Sequence, residues 1–168
     1  MNADDKKIAL RMIPYGLYVM TATGQDGRMT AATVNWVTQA SFTPPLVAVG
    51  VKADSASHAA IEASGAFVLN VIAKSDNGLA FTFFKPAVVE GQTISGEAFT
   101  LGSVVKAPVL DKAPAHVECR VVEAVKRGDH TLFVAEVVEA RVKTPPAGRA
   151  DDAICWLKDL GEKVYYGG

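Results

Sequence analysis

A short polar segment that could bind a phosphate follows one of the most apolar stretches of the chain. Lys52 comes directly after the apolar run 46–51. Ser55 and Ser57 then precede an Ala-rich stretch that stops at Gly65, so Ser57 is predicted as a helix N-cap and Gly65 as the residue after the helix. Backbone amides at a helix start, with hydroxyls and an ammonium group nearby, suit a phosphate. Serines also serve there as plain caps, and the segment alone leaves both roles open.

A second candidate site is a strand-like segment with unusually small side chains at successive positions. Small residues let a flat ligand approach the backbone closely, and Thr and Asn side chains can hydrogen-bond to the ligand's edge. A crowded barrel wall, in which small residues relieve packing, explains the same pattern. The segment consists of Thr30, Ala31, Ala32, Thr33, Val34, Asn35 and Trp36.

His130 is the third candidate, because it follows Gly128 and Asp129 at a predicted hairpin tip. It is either a ligand contact or an exposed turn residue. The chain offers no Ser-His-Asp order, carboxylate pair or P-loop that would indicate hydrolysis or phosphoryl transfer. The reactive atoms of any catalysis are therefore expected to belong to a cofactor.

The sequence gives no indication of a metal site. Cys119 and Cys155 are too few and too far apart for a cluster, and the 3 histidines form no HExxH pattern. Cys119 lies in an alternating apolar segment, which predicts a buried thiol.

Charge and composition narrow the class of protein. Lys+Arg total 17 against 18 Asp+Glu, which argues against nucleic acid or an anionic membrane as a partner. The 22 Val against 10 Leu favour strands, and no apolar run approaches the roughly 20 residues needed to span a bilayer. The N-terminus is charged and lacks a secretory signal. We expect a soluble, cytoplasmic, β-rich protein with one domain over residues 1–168.

Apolar runs between turn signals predict six strands and a few short helices. The strands are placed at 16–22, 29–39, 46–51, 67–72, 116–125 and 131–142. Helices are expected before Pro14, over 58–64 and over 75–84, whereas 85–107 reads as rich in loops. Asp26-Gly27 predicts a tight turn, and Gly128 is available for a positive φ in the last hairpin.

Six strands with short links predict a mainly β protein, an antiparallel barrel. The last strand carries apolar residues on both faces: Leu132, Val134 and Val138 on one, and Phe133, Ala135 and Val137 on the other. One face can fill the barrel, and the other needs a cover. A helix or a second copy of the chain would provide it, and we expect a homodimer.

An ordered series of motifs resembles the flavin reductase-like family, the FMN-binding split barrels. The resemblance runs from about Met12 to Val142, and the closing segment Tyr165–Gly168 is similar to the tail of many members. The motifs are Gly16-Leu-Tyr-Val-Met-Thr-Ala22, Gly27-Arg-Met-Thr-Ala-Ala-Thr33, Pro44-Pro-Leu-Val-Ala-Val49, Ala59-Ala-Ile-Glu-Ala-Ser-Gly-Ala-Phe67, Val68-Leu-Asn-Val71 and Gly128-Asp-His130.

The resemblance implies a six-stranded split β-barrel that holds FMN, or more loosely FAD, near a homodimer interface. It further implies hydride transfer from NADH or NADPH to the flavin and delivery of reduced flavin to a partner, often a monooxygenase. By position, Thr30 to Trp36 would line the flavin, with Asn35 at its pyrimidine edge. Lys52, Ser55, Ser57 and His58 match the phosphate stretch, Phe84 and Lys85 match a segment that closes over the flavin, and His130 matches the position near the nicotinamide.

One departure and two alternatives stay open at this point. Many reductases have a Ser-rich stretch where this chain has Val34-Asn-Trp-Val, which leaves open whether the flavin is a diffusible substrate or a held prosthetic group. The first alternative is an FMN-binding electron-transfer protein that a redox partner reduces. The second is a split barrel for another flat cofactor, such as haem or pyridoxal phosphate, or a dimeric scaffold.

Overall fold

Strands dominate the computed structural model, which describes residues 1–167. The strands are β1 (Tyr18–Thr23), β2 (Met29–Val34), β3 (Val37–Ser41), β4 (Leu46–Lys52), β5 (Ala66–Val71), β6 (Val89–Glu90), β7 (Thr93–Ile94), β8 (Glu97–Leu101), β9 (Pro108–Leu110), β10 (Ala115–Lys126) and β11 (His130–Val142). The α-helices are α1 (Ala3–Arg11), α2 (Ala56–Ser64) and α3 (Gly78–Thr82). Short 3₁₀ turns cover Lys74–Asp76, Ala150–Asp152 and Leu157–Leu160. Within residues 1–167, no helix has the length and apolar character to cross a bilayer.

The main sheet has seven strands where the sequence predicted six. Its order is β2-β1-β5-β10-β11-β4-β3, and every paired neighbour is antiparallel. The extra strand arises because residues 29–39 form β2 and β3, which are separated by Asn35 and Trp36. A second sheet, β6-β7-β8-β9, lies largely in the segment predicted to be loop-rich. Its strands of 2 to 5 residues are too short to show an alternating pattern.

The main sheet must curl, because its two edge strands are joined by only two residues. If the sheet were flat, β2 and β3 would lie roughly 29 Å apart, at about 4.8 Å for each strand spacing. The chain from Val34 to Val37 reaches about 11 Å at most. The edges therefore meet at Asn35 and Trp36, where the carbonyl of Trp36 accepts a hydrogen bond from the Gly50 amide of β4 (2.9 Å).

The curled sheet packs apolar side chains on both of its faces. Met20, Phe67 and Phe133 belong to a buried cluster that includes Ile61 of α2. Val19, the neighbour of Met20, belongs to a second cluster with residues of α3 and of the C-terminal segment. Successive strand residues point to opposite faces, so β1 connects the two clusters.

Cys119 belongs to the same cluster as Phe133 and is buried, as predicted. Burial raises the pKa of the Cys119 thiol to about 12, so the thiol stays neutral at ordinary pH.

Residues 102–113, here called the loop cover, are fixed to the main sheet by buried polar groups. The Glu118 carboxylate accepts hydrogen bonds from the amides of residues 103–105 and from the Ser103 hydroxyl, at 2.8 to 3.0 Å. Burial alone would raise the pKa of Glu118, but these donors lower it below its usual value. Asn70 of β5 donates to the carbonyls of Val19 and Pro108 and accepts from the Leu110 amide.

Two local predictions near the candidate site are wrong in detail. The N-cap of α2 is Ser55 rather than Ser57, since the Ser55 hydroxyl accepts from the His58 amide (3.1 Å). Gly65 takes the left-handed conformation expected after the helix, with φ 67°. Gly128 does not adopt a positive φ in the loop of three residues, 127–129, that joins β10 to β11. His130 lies at the start of β11, where it pairs with Lys52 of β4, rather than at the loop tip.

Candidate functional site

A cavity of about 440 Å³, here called the first cavity, lies beside the junction of β2 and β3. Residues from β1, β2, β4, α2, the segment after α3 and the C-terminal segment surround it. They are Leu17, Met20, Ala32, Thr33, Val34, Asn35, Gly50, Val51, Lys52, Ser55, Ser57, Phe83, Phe84, Leu157, Val164, Tyr165 and Tyr166.

One end of the first cavity is formed by β4 and the start of α2. The Ser55 hydroxyl donates to the carbonyl of Lys52 (2.8 Å), which fixes the turn between strand and helix. Ser57 is 4% exposed yet lines the cavity. In residues 1–167, the backbone amides of Ala56 and Ser57 have no acceptor, as expected for the first turn of a helix. This end therefore presents free donors and the positive end of the helix dipole.

Lys52 adds positive charge to the same end of the cavity. Its ammonium group lies 3.1 Å from the Asp54 carboxylate, and this hydrogen bond raises the pKa of Lys52. One of its three donors is used by Asp54, so two are available to a bound anion.

The side wall of the first cavity is the end of β2. The Thr33 hydroxyl donates to the carbonyl of Ala80 (2.8 Å), and its amide donates to the carbonyl of Phe83 (3.1 Å). These bonds fix β2 against α3. Asn35 is 4% exposed, and its side-chain amide donates to the carbonyl of Tyr166 (3.4 Å).

Residues 161–167, here called the tail cover, close the first cavity from outside. No strand pairing holds this segment within the part of the chain that the structure describes. It is held instead by Asn35, by the Arg11 side chain, which donates to the carbonyl of Gly167 (3.4 Å), and by stacking of Arg11 on Tyr165 (4.2 Å). Tyr165 and Tyr166 remain 54% and 48% exposed.

An aromatic cluster links the tail cover to the sheet. His130 lies 4.5 Å from Trp36 and 5.9 Å from Tyr166, measured between ring centroids. Trp36 packs on Gly50, where an added Cβ would lie 3.0 Å from the indole ring. A larger residue at that point of β4 would require the indole to shift.

His130 has a defined hydrogen-bonding arrangement in this cluster. Its Nδ1 lies 2.9 Å from the Asp129 carboxylate, and its Nε2 lies 2.8 Å from the Tyr166 hydroxyl. A carboxylate only accepts, so Nδ1–H donates to Asp129, and Nε2 is hydrogen-bonded to the Tyr166 hydroxyl. The bond to His130 lowers the pKa of Asp129, and burial raises the pKa of Tyr166, so the carboxylate is charged and the phenol is neutral.

The structure brings together eight of the residues proposed from the sequence and leaves the others outside the cavity lining. Those that line the first cavity are Ala32, Thr33, Val34, Asn35, Lys52, Ser55, Ser57 and Phe84. Trp36 and His130 lie behind Tyr166, and Lys85 is exposed away from the lining.

Three further proposed residues have other packing partners. Ala31 belongs to a buried cluster, and the Thr30 hydroxyl donates to the carbonyl of Ala22 (3.4 Å). His58 is buried with its Nε2 2.8 Å from the Thr131 hydroxyl and its ring on Phe133.

The residues missed from the sequence are apolar side chains and the tail cover. Leu17, Met20 and Phe83 are each almost fully buried, so their residue types could not be told from core residues. The tail contains two adjacent tyrosines, which could have indicated a role in binding. Their contact with the residue that follows β2 could not be predicted, because the two segments lie far apart in the sequence. The motif Tyr165–Gly168 also extends one residue beyond the described part, so Gly168 lies outside it.

The first cavity fits the phosphate and ring of a flavin mononucleotide better than a metal. Donors and a cation lie at one end, and apolar side chains dominate the rest, which is the usual distribution in cofactor pockets of this volume. In residues 1–167 no group of three or more His, Cys, Asp or Glu is placed to hold a metal ion.

Comparison with solved structures identifies the class of fold. The NADH:FAD oxidoreductase of Streptomyces globisporus C-1027 superposes with a TM-score of 0.68 at 29% identity, covering 77% of this chain and 76% of that chain. The curled sheet is thus the fold of a flavin-dependent oxidoreductase.

The sequence comparison gives the family. Residues 10–158 match the profile of the flavin reductase like domain, and the chain belongs to that family. It is 35% identical over 129 residues to the reductase component of the 4-nitrophenol 4-monooxygenase/4-nitrocatechol 2-monooxygenase of Rhodococcus opacus, covering 77% of this chain and 66% of that protein. It is 30% identical to diflavin flavoprotein A 1 of Synechocystis, covering 82% of this chain and 24% of that protein. The chain thus spans less than two thirds of the length of these two relatives.

Proposed function

We propose that the chain is a flavin reductase that transfers hydride from NADH or NADPH to FMN or FAD. Residues 1–168 form one flavin-binding domain, and the curled sheet corresponds to the split barrel of the family. The observation that carries the proposal is the first cavity, where Ser55, Ser57 and Lys52 provide a phosphate site at one end and Ala32 to Asn35 form a wall of small residues.

The residues of the cavity bind and orient the cofactor. The free amides of Ala56 and Ser57 and the Lys52 ammonium bind the phosphate, because a helix start and a cation both favour an anion. The small side chains of Ala32 and Thr33 let the ring lie close to β2. Asn35 donates to the polar edge of the ring once its bond to Tyr166 is exchanged.

A bound flavin supplies the chemistry of accepting a hydride, which the protein side chains lack. The protein contributes proximity and exclusion of water, and the ring of His130 adds a hydrogen-bonding group beside the cavity. No general base is required for this step. His130 would contact the nicotinamide after Tyr166 moves away from its Nε2.

The outer face of β11 supports a homodimer. Phe133 and Ala135 point into the curled sheet, so Leu132 and Val134 point outward, opposite Gly50 and Ala48 of β4. Leu132 is 43% exposed. Outward apolar side chains on neighbouring strands are typical of a surface that a second copy covers. Sedimentation of the wild-type protein tests this proposal, and a monomer at micromolar concentration would contradict it.

The physiological acceptor we propose is a flavin-using monooxygenase, which receives the reduced flavin. The support is the reductase component of the Rhodococcus system, which is similar over most of this chain. The cytoplasm is the expected location of such a pair.

Anaerobic reduction tests the proposed activity. Purified protein with FMN is mixed with NADH or NADPH, and loss of the flavin's visible absorbance is followed. Reduction by either nucleotide supports the proposal, and no reduction by both overturns it. If a ferredoxin-type donor alone reduces the flavin rapidly, the protein is an electron-transfer module instead.

Lys52→Gln tests the phosphate site separately. We expect the Kd for FMN to rise about tenfold and the Kd for riboflavin, which lacks the phosphate, to stay the same. Lys74→Gln, an exposed residue outside the cavity lining, is the matched control. Equal weakening of both ligands would contradict the assignment of this end of the cavity.

A further inference from the structure

A second cavity of about 570 Å³ lies on the other side of the tail cover. It is bounded by the end of α1, the residues just after it, the turn Leu157–Leu160 and the tail cover itself. The site described above uses none of this space.

The two cavities share a wall. Leu157, Val164, Tyr165 and Tyr166 line both of them. A ligand with two parts can therefore place one part in each cavity while its link passes the tail cover. The tail cover is held by side-chain contacts and, within residues 1–167, by no strand pairing, so its displacement requires no strand to separate.

Aromatic rings provide flat surfaces in the second cavity. Tyr15, Trp156 and Tyr165 line it. The Trp156 indole donates to the carbonyl of Asp151 (2.9 Å), which fixes the ring in place. Such faces stack well with a purine base.

Charged groups of both signs surround these rings. Arg11 and Lys158 supply cations, and within residues 1–167 Lys158 forms no salt bridge. Asp152 and Glu162 supply carboxylates. Cations suit a diphosphate, whereas carboxylates accept hydrogen bonds from ribose hydroxyls.

We propose that the second cavity binds the adenosine diphosphate half of a dinucleotide whose other half occupies the first cavity. Base, diphosphate and ribose each find a matching group in the lining: an aromatic face, a cation and a carboxylate. The inference rests on the proposed function, which brings two such dinucleotides to the protein, the nicotinamide donor and FAD.

A binding experiment tests the site without any turnover. Calorimetric titration of the wild-type protein with ADP should give saturable binding, and Lys158→Gln should raise the Kd about fivefold through the lost charge-assisted contact. Lys163→Gln makes the same charge change on the same segment outside both cavities, and its Kd should equal that of the wild type. Absence of ADP binding to the wild type, or equal Kd values in wild type and Lys158→Gln, overturns the proposal.

Kinetics with truncated substrates then identify which dinucleotide uses the cavity. With FMN as acceptor, Lys158→Gln should raise the KM for NADH about fivefold and leave that for reduced nicotinamide mononucleotide unchanged, if the donor's adenylate binds there. The alternative result is that Lys158→Gln raises the KM for FAD but not that for FMN when reduced nicotinamide mononucleotide is the donor. In that case the cavity binds the adenylate of FAD. Reduced nicotinamide mononucleotide and FMN both lack the adenylate. The proposal is overturned if Lys158→Gln changes their KM values as much as it changes those of NADH and FAD. If the wild type oxidises neither donor, the proposed function fails while the ADP titration still decides the cavity.

Discussion

Two segments cover the main sheet, and they are attached in different ways. The loop cover is bound by Asn70, which is fully buried, and by Glu118, which is 1% exposed. The tail cover is bound by the Asn35 amide, which is 4% exposed, and otherwise by Arg11 and by tyrosines that are about half exposed. Buried polar groups are costly to leave without partners, whereas exposed ones exchange their partners for water. The loop cover is therefore the more firmly attached of the two segments.

Asn70→Ala, which acts on the loop cover, is expected to cause the largest loss in the free energy of unfolding. The change leaves the buried Leu110 amide without its side-chain acceptor and removes one of the two side-chain donors to the Pro108 carbonyl, the other being the Thr21 hydroxyl, so unfolding should be easier by about 3 kcal/mol. Urea unfolding measures this value. Asn77→Ala, at an exposed asparagine, should change it by less than about 0.5 kcal/mol.

A smaller loss, of about 2 kcal/mol, is expected from Glu118→Gln, because an amide cannot accept all the donors that the carboxylate accepts. Glu123→Gln on the exposed part of the same strand is the matched control. Equal stabilities of the two variants would show that the loop cover does not depend on the carboxylate.

The pH dependence of stability gives a second readout for Glu118. Its pKa is lowered in the folded protein, so the unfolded chain binds the proton more readily. The stabilisation is present above the unfolded value of about 4.3 and is lost as the pH falls through the folded pKa. Wild-type stability should therefore fall more steeply in acid than that of Glu118→Gln.

The smallest effect on stability is expected from Tyr166→Phe in the tail cover. Loss of the bond to His130 should change the unfolding free energy by less than about 0.5 kcal/mol. The KM for NADH should fall about twofold, because a bond worth about 0.4 kcal/mol no longer competes with the nicotinamide for His130. A loss of stability as large as that of Glu118→Gln would mean that both covers are structural.

The sequence predicted the long strands well because their patterns are local. β4 was predicted to begin after Pro45, and it begins at Leu46; β10 and β11 were placed within a residue or two of their ends. The break at Asn35 and Trp36 escaped prediction because a single Asn, without a neighbouring Gly or Pro, is a weak signal for a break in a strand. The edges of the sheet meet there through long-range pairing, which no local pattern records.

The end of the candidate site that we propose to bind phosphate was predictable for the same reason, since Lys52, Ser55 and Ser57 lie within six positions of one another. His58 was included with them because it matches the phosphate stretch of the family, but the helix turns its ring toward Thr131 and Phe133. The wall formed by Leu157 and Tyr166 depends on contacts across most of the chain. Only the folded structure shows them.

The position of that wall along the chain has a consequence for protein synthesis. All the strands that the structure describes have left the ribosome once Val142 has emerged, whereas Leu157, Val164 and Tyr166 follow later. A nascent chain with these strands in place therefore still lacks one wall of the first cavity. Capture of a ligand in that cavity during translation would have to wait for residues 157–166 as well as for the pairing of the strands.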